Sequence, residues 1–184
     1  YKLFVYNIPT NSYVTNSGTL FQTSNIFVMG GADPTSTFSY VMTSTNGIDW
    51  TFGPNNIPAE ITSLNLYNNK FVAGSYAGTF TSTNGTTWTQ TSTQDSLSMA
   101  YSGSVYVLTG GATNPFVWSS DLVTFTAATL PASCDVTKGG VIVAYGAGIF
   151  VAWTRVVGDA TFQLHQPIWS SDGKTWVLGG STVS

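Results

Sequence analysis

Charge is what this sequence has least of. Only 7% of its 184 residues are Asp, Glu, Lys or Arg, against about 25% in an average soluble protein. There are four lysines and one arginine, Arg155, and the net charge is −3. No basic patch that could neutralise phosphates can be assembled, which excludes nucleic-acid binding and docking on an anionic membrane. Cys134 is alone, so there is no intrachain disulfide and no cysteine metal site. His165 is the single histidine, and the eight acidic residues are scattered singly. No metal and no other cofactor is expected from such a set. Long apolar runs are missing too: the longest, Val141 to Trp153, is broken by Gly146 and Gly148 and is too short to insert into a bilayer. Neither an initiator Met nor a signal peptide stands at Tyr1, the pattern expected of a processed or excerpted chain.

What is present is a core and a neutral polar coat. Hydrophobic residues make up 42% and aromatics 14%, enough apolar surface to exclude disorder. Ser, Thr, Asn and Gly take the place of charges. The length suits a single domain, residues 1–184.

Four segments share one pattern: Thr43-Ser44-Thr45-Asn46-Gly47-Ile48-Asp49-Trp50, Thr81-Ser82-Thr83-Asn84-Gly85-Thr86-Thr87-Trp88, Trp118-Ser119-Ser120-Asp121-Leu122-Val123-Thr124-Phe125 and Trp169-Ser170-Ser171-Asp172-Gly173-Lys174-Thr175-Trp176. Their terminal aromatics are 38, 37 and 51 residues apart, a period of β-propeller blades. Each segment reads as a strand, a tight turn and a returning strand. Leu122 stands where the others have Gly, which predicts an irregular third turn.

Upstream of each lies a second matched element, around Phe27-Val28, Phe71-Val72, Tyr106-Val107 and Phe150-Val151, itself preceded by a short strand. That makes four strands per repeat, with blades at 19–53, 61–91, 97–128 and 141–180. The near-continuous apolar run Ile142 to Tyr145 suits an inner strand covered on both faces. No helical periodicity is present, so the expected fold is all-β: a β-propeller of four-stranded antiparallel blades, about four in this chain. Proline connectors recur at Asn56-Ile57-Pro58 and Thr129-Leu130-Pro131, and Asn7-Ile8-Pro9 fits the same slot. By that match residues 1–18 form an outer strand and connector of a blade whose other strands are absent, so the chain is part of a larger ring, pairs with neighbours in an assembly, or is a closed four-bladed ring with a spare strand.

The pattern Ser-x-Asp-Gly-x-Thr-Trp, complete in Ser170 to Trp176, resembles the Asp-box, or BNR repeat, of sialidase-type propellers. The resemblance covers roughly Thr19 to Gly179. It implies that Asn46, Asn84, Asp121 and Asp172 lock turns by accepting backbone hydrogen bonds, that Trp50, Trp88, Phe125 and Trp176 pack between blades, and that all eight are structural. It also implies that the turns lie opposite the family's binding centre.

Sialidases hold their substrate with three arginines and use Tyr, Glu and Asp for catalysis. One Arg and one Glu, Glu60, cannot supply that set, so the chain is expected to be non-enzymatic. The favoured reading is an extracellular or virion-surface recognition module binding carbohydrate or a cell-surface receptor; charge-poor Ser/Thr/Asn/Gly-rich β proteins resemble phage tail-fibre and virion appendage domains. The loops between second and third strands, uneven in length, supply its candidate contacts: Asp33, Tyr76, Asn114, Phe116, Arg155, Asp159, Gln163 and His165, where rings can cover a sugar face and polar groups take its hydroxyls. Two alternatives stand beside it. One is a structural virion or filament subunit contacting its neighbours. The other is a glycoside hydrolase using two of the loop carboxylates Asp33, Asp95, Asp135 and Asp159.

Overall fold

The computed structural model describes residues 4–7, 13–14, 20–21, 26–32, 38–53, 57–110, 115–136, 141–158 and 165–180. No helix occurs among them. The chain opens with β1 (Phe4–Asn7) and a small hairpin of β2 (Tyr13–Val14) and β3 (Leu20–Phe21). Then follow β4 (Phe27–Ala32), β5 (Phe38–Ser44), β6 (Thr51–Phe52) and β7 (Ile57–Pro58). The second repeat supplies β8 (Ile61–Tyr67), β9 (Lys70–Ser75), β10 (Gly78–Ser82) and β11 (Thr89–Ser92). The third supplies β12 (Ser98–Tyr101), β13 (Tyr106–Thr109), β14 (Phe116–Ser119) and β15 (Thr126–Ala127). The last has β16 (Cys134–Asp135), β17 (Ile142–Gly146), β18 (Ile149–Val156), β19 (His165–Ser170) and β20 (Val177–Leu178).

These strands form four antiparallel blades, β1-β4-β5-β6, β8-β9-β10-β11, β12-β13-β14-β15 and β17-β18-β19-β20, with β7 and β16 added at the edges. The fold is a β-propeller. One expectation needs correction: Phe4–Asn7 is not the outer strand of an absent blade, because it pairs along β4, Phe4 opposite Gly30 and Asn7 opposite Phe27, as the first strand of blade 1. Leu20–Phe21, expected in that place, pairs with Tyr13–Val14 instead.

The turn between third and fourth strands is held by the same Asx and Ser hydrogen bonds in all four blades. The Asx oxygen of Asn46 accepts from the N–H groups of Ile48 and Asp49, both at 2.9 Å. Asn84 accepts from Thr86 and Thr87, Asp121 from Val123 and Thr124, and Asp172 from Lys174 and Thr175, at 2.8–3.0 Å. A serine two residues earlier accepts from the N–H that follows the Asx, as Ser82 does from Gly85 at 2.8 Å. Such local bonds are what Asx and Ser side chains favour in turns. The expected irregularity of the third turn is absent. Leu122 adopts φ 64, close to the 74 of Gly47, Gly85 and Gly173, and its N–H reaches Ser119 Oγ at 2.9 Å. Burial of its side chain between blades offsets the steric cost of that backbone for a non-glycine residue.

The core is three clusters, one per junction between consecutive blades. Val28 and Val41 of blade 1 meet Phe71, Ala73, Phe80 and Trp88 of blade 2. Val72 of blade 2 meets Tyr106, Leu108, Val117 and Leu122. Val107 and Phe116 meet Phe150, Ala152, Ile168 and Trp176. Each blade therefore has a leading face toward its predecessor and a trailing face toward its successor. Two-sided burial fails in blade 4: along β18 residues alternate exposed and buried, and Ile142 is 67% exposed. The run Ile142 to Tyr145 is thus not covered on both faces. Among the described residues that face of blade 4 stays uncovered.

Candidate functional site

Connectors between blades run beside the loops joining second and third strands, so both sets share one end of the molecule. Tyr76 N–H bonds the Glu60 carbonyl at 3.3 Å, and Val157 N–H bonds the Ser133 carbonyl at 2.8 Å. In blade 4 this neighbourhood assembles the chain's one arginine, its one histidine and a carboxylate. Asp135 stands directly opposite Arg155 across β16 and β18; Arg155 stands directly opposite His165 across β18 and β19. Residues paired this way project from the same face of a sheet, with Cβ atoms about 4.5–5.5 Å apart. All three are half-buried. One step along the same face, the Trp153 ring stacks on His165, centroids 6.1 Å apart and planes within 18°.

The position of β16 is set by Gln166, a buried side chain. Its amide donates to the Ser133 carbonyl at 2.9 Å and lies 3.1 Å from Ser133 Oγ and 3.3 Å from Cys134 Sγ. Asp135 is thereby held at a blade that its own short strand could not anchor. Chemically the row joins an acceptor, a fixed bidentate donor and a group that can move a proton, beside an aromatic surface.

The other candidates fall elsewhere. Tyr76 is exposed but sits at the tip of blade 2. Phe116 is not a loop contact: it opens β14, is 3% exposed and packs edge-on against Trp176 at 4.8 Å. Asp33, Asn114, Asp159 and Gln163 lie outside the described residues. Of the other loop carboxylates, Asp95 lies in the connector from blade 2 to blade 3, where Gln94 bonds its carbonyl at 2.8 Å. Asp135 was expected only among the loop carboxylates of the hydrolase alternative, not among the binding contacts, and Trp153 in neither set; the connector match around Pro131 is the signal that places Asp135 beside the long fourth-repeat loop. Clefts of about 400 and 290 Å³ open at the opposite end, among the turns, lined by Lys70, Asn84 and Thr87 in one and Ser44, Asn46 and Thr86 in the other. Neither approaches the Asp135 row.

The fold and this row define the class: an all-β propeller with one chemically distinctive edge. No family model matches the chain, and no curated protein does. Among solved structures it is similar to a GH43 endo-arabinanase from Bacillus licheniformis, with 12% identity over 88% of this chain and 78% of that one, at a TM-score of 0.40. A likeness at that level transfers no residue and no substrate. Beside that finding the expectation of a non-enzymatic recognition module is withdrawn: counting arginines and glutamates excludes the sialidase scheme and nothing more.

Proposed function

We propose that this propeller cleaves glycosidic bonds at the Asp135–Arg155–His165 row. The observation that carries the reading is the row itself, which brings a carboxylate, the only guanidinium and the only imidazole onto one face of blade 4. A carboxylate is the group that serves as nucleophile or base in such cleavage. Trp153, stacked on His165, gives the apolar face of a sugar ring something to lie on. Hydrolysis by two carboxylates needs an acid as well. Asp159 is assigned to it from sequence, since it falls between the strands that carry Arg155 and His165. The repeated turns belong to the same reading as Asp-boxes, a scaffold whose four Asx side chains each accept two backbone N–H groups. An extracellular polysaccharide is the substrate class that suits a neutral polar surface.

The test is reducing-sugar release from a panel of polysaccharides, linear arabinan included. The wild type releases sugar from at least one, and Asp135→Asn lowers kcat about 10²–10⁴-fold with an unchanged melting temperature. No release from any substrate, or wild-type rates from the variant, would overturn the reading.

A further inference from the structure

The blade-to-blade contact is repeated three times, and the chain carries both unused halves of a fourth. On the trailing side, one valine per blade sits at the same place in the second strand. Val28, Val72 and Val107 are 0% exposed, and Val151 is 44% exposed. What covers the first three is the turn of the following blade. A Cβ on Gly85 would fall 2.6 Å from Val28 Cγ2, and one on Gly173 would fall 2.8 Å from Val107 Cγ2; Leu122 packs in the cluster that contains Val72. Among the described residues Val151 has no such cover. A second repeat of the contact lies beside it: Lys174 of blade 4 stands 4.3 Å over the Trp118 ring of blade 3, whereas Trp169, the matching ring of blade 4, is 40% exposed.

The leading side of blade 1 shows the complement. Phe27, Met29, Met42 and Trp50 occupy the places of Phe71, Ala73, Phe80 and Trp88, and all four are half-exposed where the blade 2 residues are buried. The three atoms nearest a Cβ on Gly47 all belong to the ring of its own Phe27, the first at 3.6 Å. Ile48, in the place of Lys174, is 80% exposed. It is an apolar residue where an uncovered tryptophan needs one.

One position departs from the repeat. The trailing faces of blades 1 to 3 have Gly30, Gly74 and Thr109 where the next blade presses close; a Cβ on Gly30 would lie 2.9 Å from Ile61 Cδ1. Blade 4 has Trp153 there. A neighbour on blade 4 must stand further off at that end, which suits a separate molecule better than a blade tied by a short connector.

We infer that a second copy of this chain docks head to tail, the blade 1 turn at Gly47 and Ile48 of one copy seated on Val151 and Trp169 of the other. Such heterologous contacts close into rings or run on as filaments. Two copies give eight blades, the upper end of the usual propeller range, and three would exceed it, so the assembly is a ring of two. The Asp135 row then lies at the mouth of each junction between copies. This inference stands independently of glycoside cleavage.

Light scattering after size exclusion, run over a concentration series, tests it. The chain is expected at twice its 19.5 kDa mass, and Val151→Asp and Ile48→Asp, both at exposed sites, each return it to single mass without lowering the monomer's melting temperature. Mixing the two variants restores some double-mass species, because one of the two junctions is then intact; Val151→Thr gives an intermediate shift should the aspartate variants misfold. A monomer at all concentrations overturns the inference, as does an open-ended series of masses. So does an effect of Val151→Asp without one of Ile48→Asp, which marks a face-to-face dimer. A monomer whose melting temperature drops on Val151→Asp would show the face covered by the same polypeptide, and also overturns it.

Discussion

Blades 2 and 4 carry almost the same strand, turn and strand, yet one is buried on both faces and the other on one. In β9, Phe71 to Ser75 are all buried; in the matching β18, Ile149, Val151 and Trp153 look outward and only the alternate residues are covered. The difference comes from neighbours, since Phe-Val-Ala recurs in both strands and Trp153 in the place of Gly74 is the main departure from the match. It also separates roles. Where a blade is covered twice, its side chains hold the ring together. Where it is covered once, the free face carries the half-exposed Asp135, Arg155 and His165.

The largest effect that would break this comparison is loss of a junction aromatic. Trp176→Ala removes a ring that is 3% exposed and should cost about 3–5 kcal/mol in chemical denaturation. Trp50→Ala, half-exposed on the free leading face, should cost about 1–2 kcal/mol. Equal losses would mean blade 1 is covered in the isolated chain.

Glycines sharpen it next. Gly85→Ala meets both a positive φ and the Val28 methyl, for about 3 kcal/mol in all. Gly47→Ala has the same φ but ordinary contacts, leaving about 1 kcal/mol, measured at a dilution that keeps the chain single. A smaller contrast follows for the valines under the same conditions: Val107→Ala should cost about 2 kcal/mol and Val151→Ala no more than about 0.5 kcal/mol.

The smallest effect divides blades 1 and 2 from blades 3 and 4. Backbone N–H groups, first those of Thr124 and Thr175, hold the Asp121 and Asp172 carboxyls below their usual range. A lowered folded-state value gives stability that is complete above the unfolded pKa near 4 and is lost as pH falls through the folded one. Melting temperature should therefore decline below about pH 4. Asp121→Asn with Asp172→Asn should flatten that decline, because the turns then resemble the neutral ones at Asn46 and Asn84. An unchanged acid profile would argue that other carboxylates set it.

Much of this fold was legible because the turn chemistry is local: a Ser, an Asx two residues on and an aromatic four beyond that mark each turn without reference to the rest of the chain. Leu122 was misjudged for the complementary reason. Its backbone preference is visible in sequence, but the cavity that holds its side chain is made by another blade. Phe4–Asn7 was misplaced because Asn7-Ile8-Pro9 imitates a connector, and only pairing with β4 distinguishes the two. At the site, Arg155 and His165 stood out as single residues beside a long loop. Asp135 stood out only as one of four loop carboxylates, since it reaches the other two by a pairing across about twenty residues that Gln166 stabilises from the side. Trp153 was visible only as the end of the longest apolar run; its exposure depends on what fails to cover it.

The most direct measurement sets a carboxylate on the free face against one at a covered junction: reducing-sugar release by Asp135→Asn and by Asp95→Asn, each compared with wild type on the polysaccharide that wild type cleaves. The account predicts that Asp135→Asn loses about 10²–10⁴-fold in kcat while Asp95→Asn stays within about twofold. Equal losses from both, or full activity in Asp135→Asn, would contradict it.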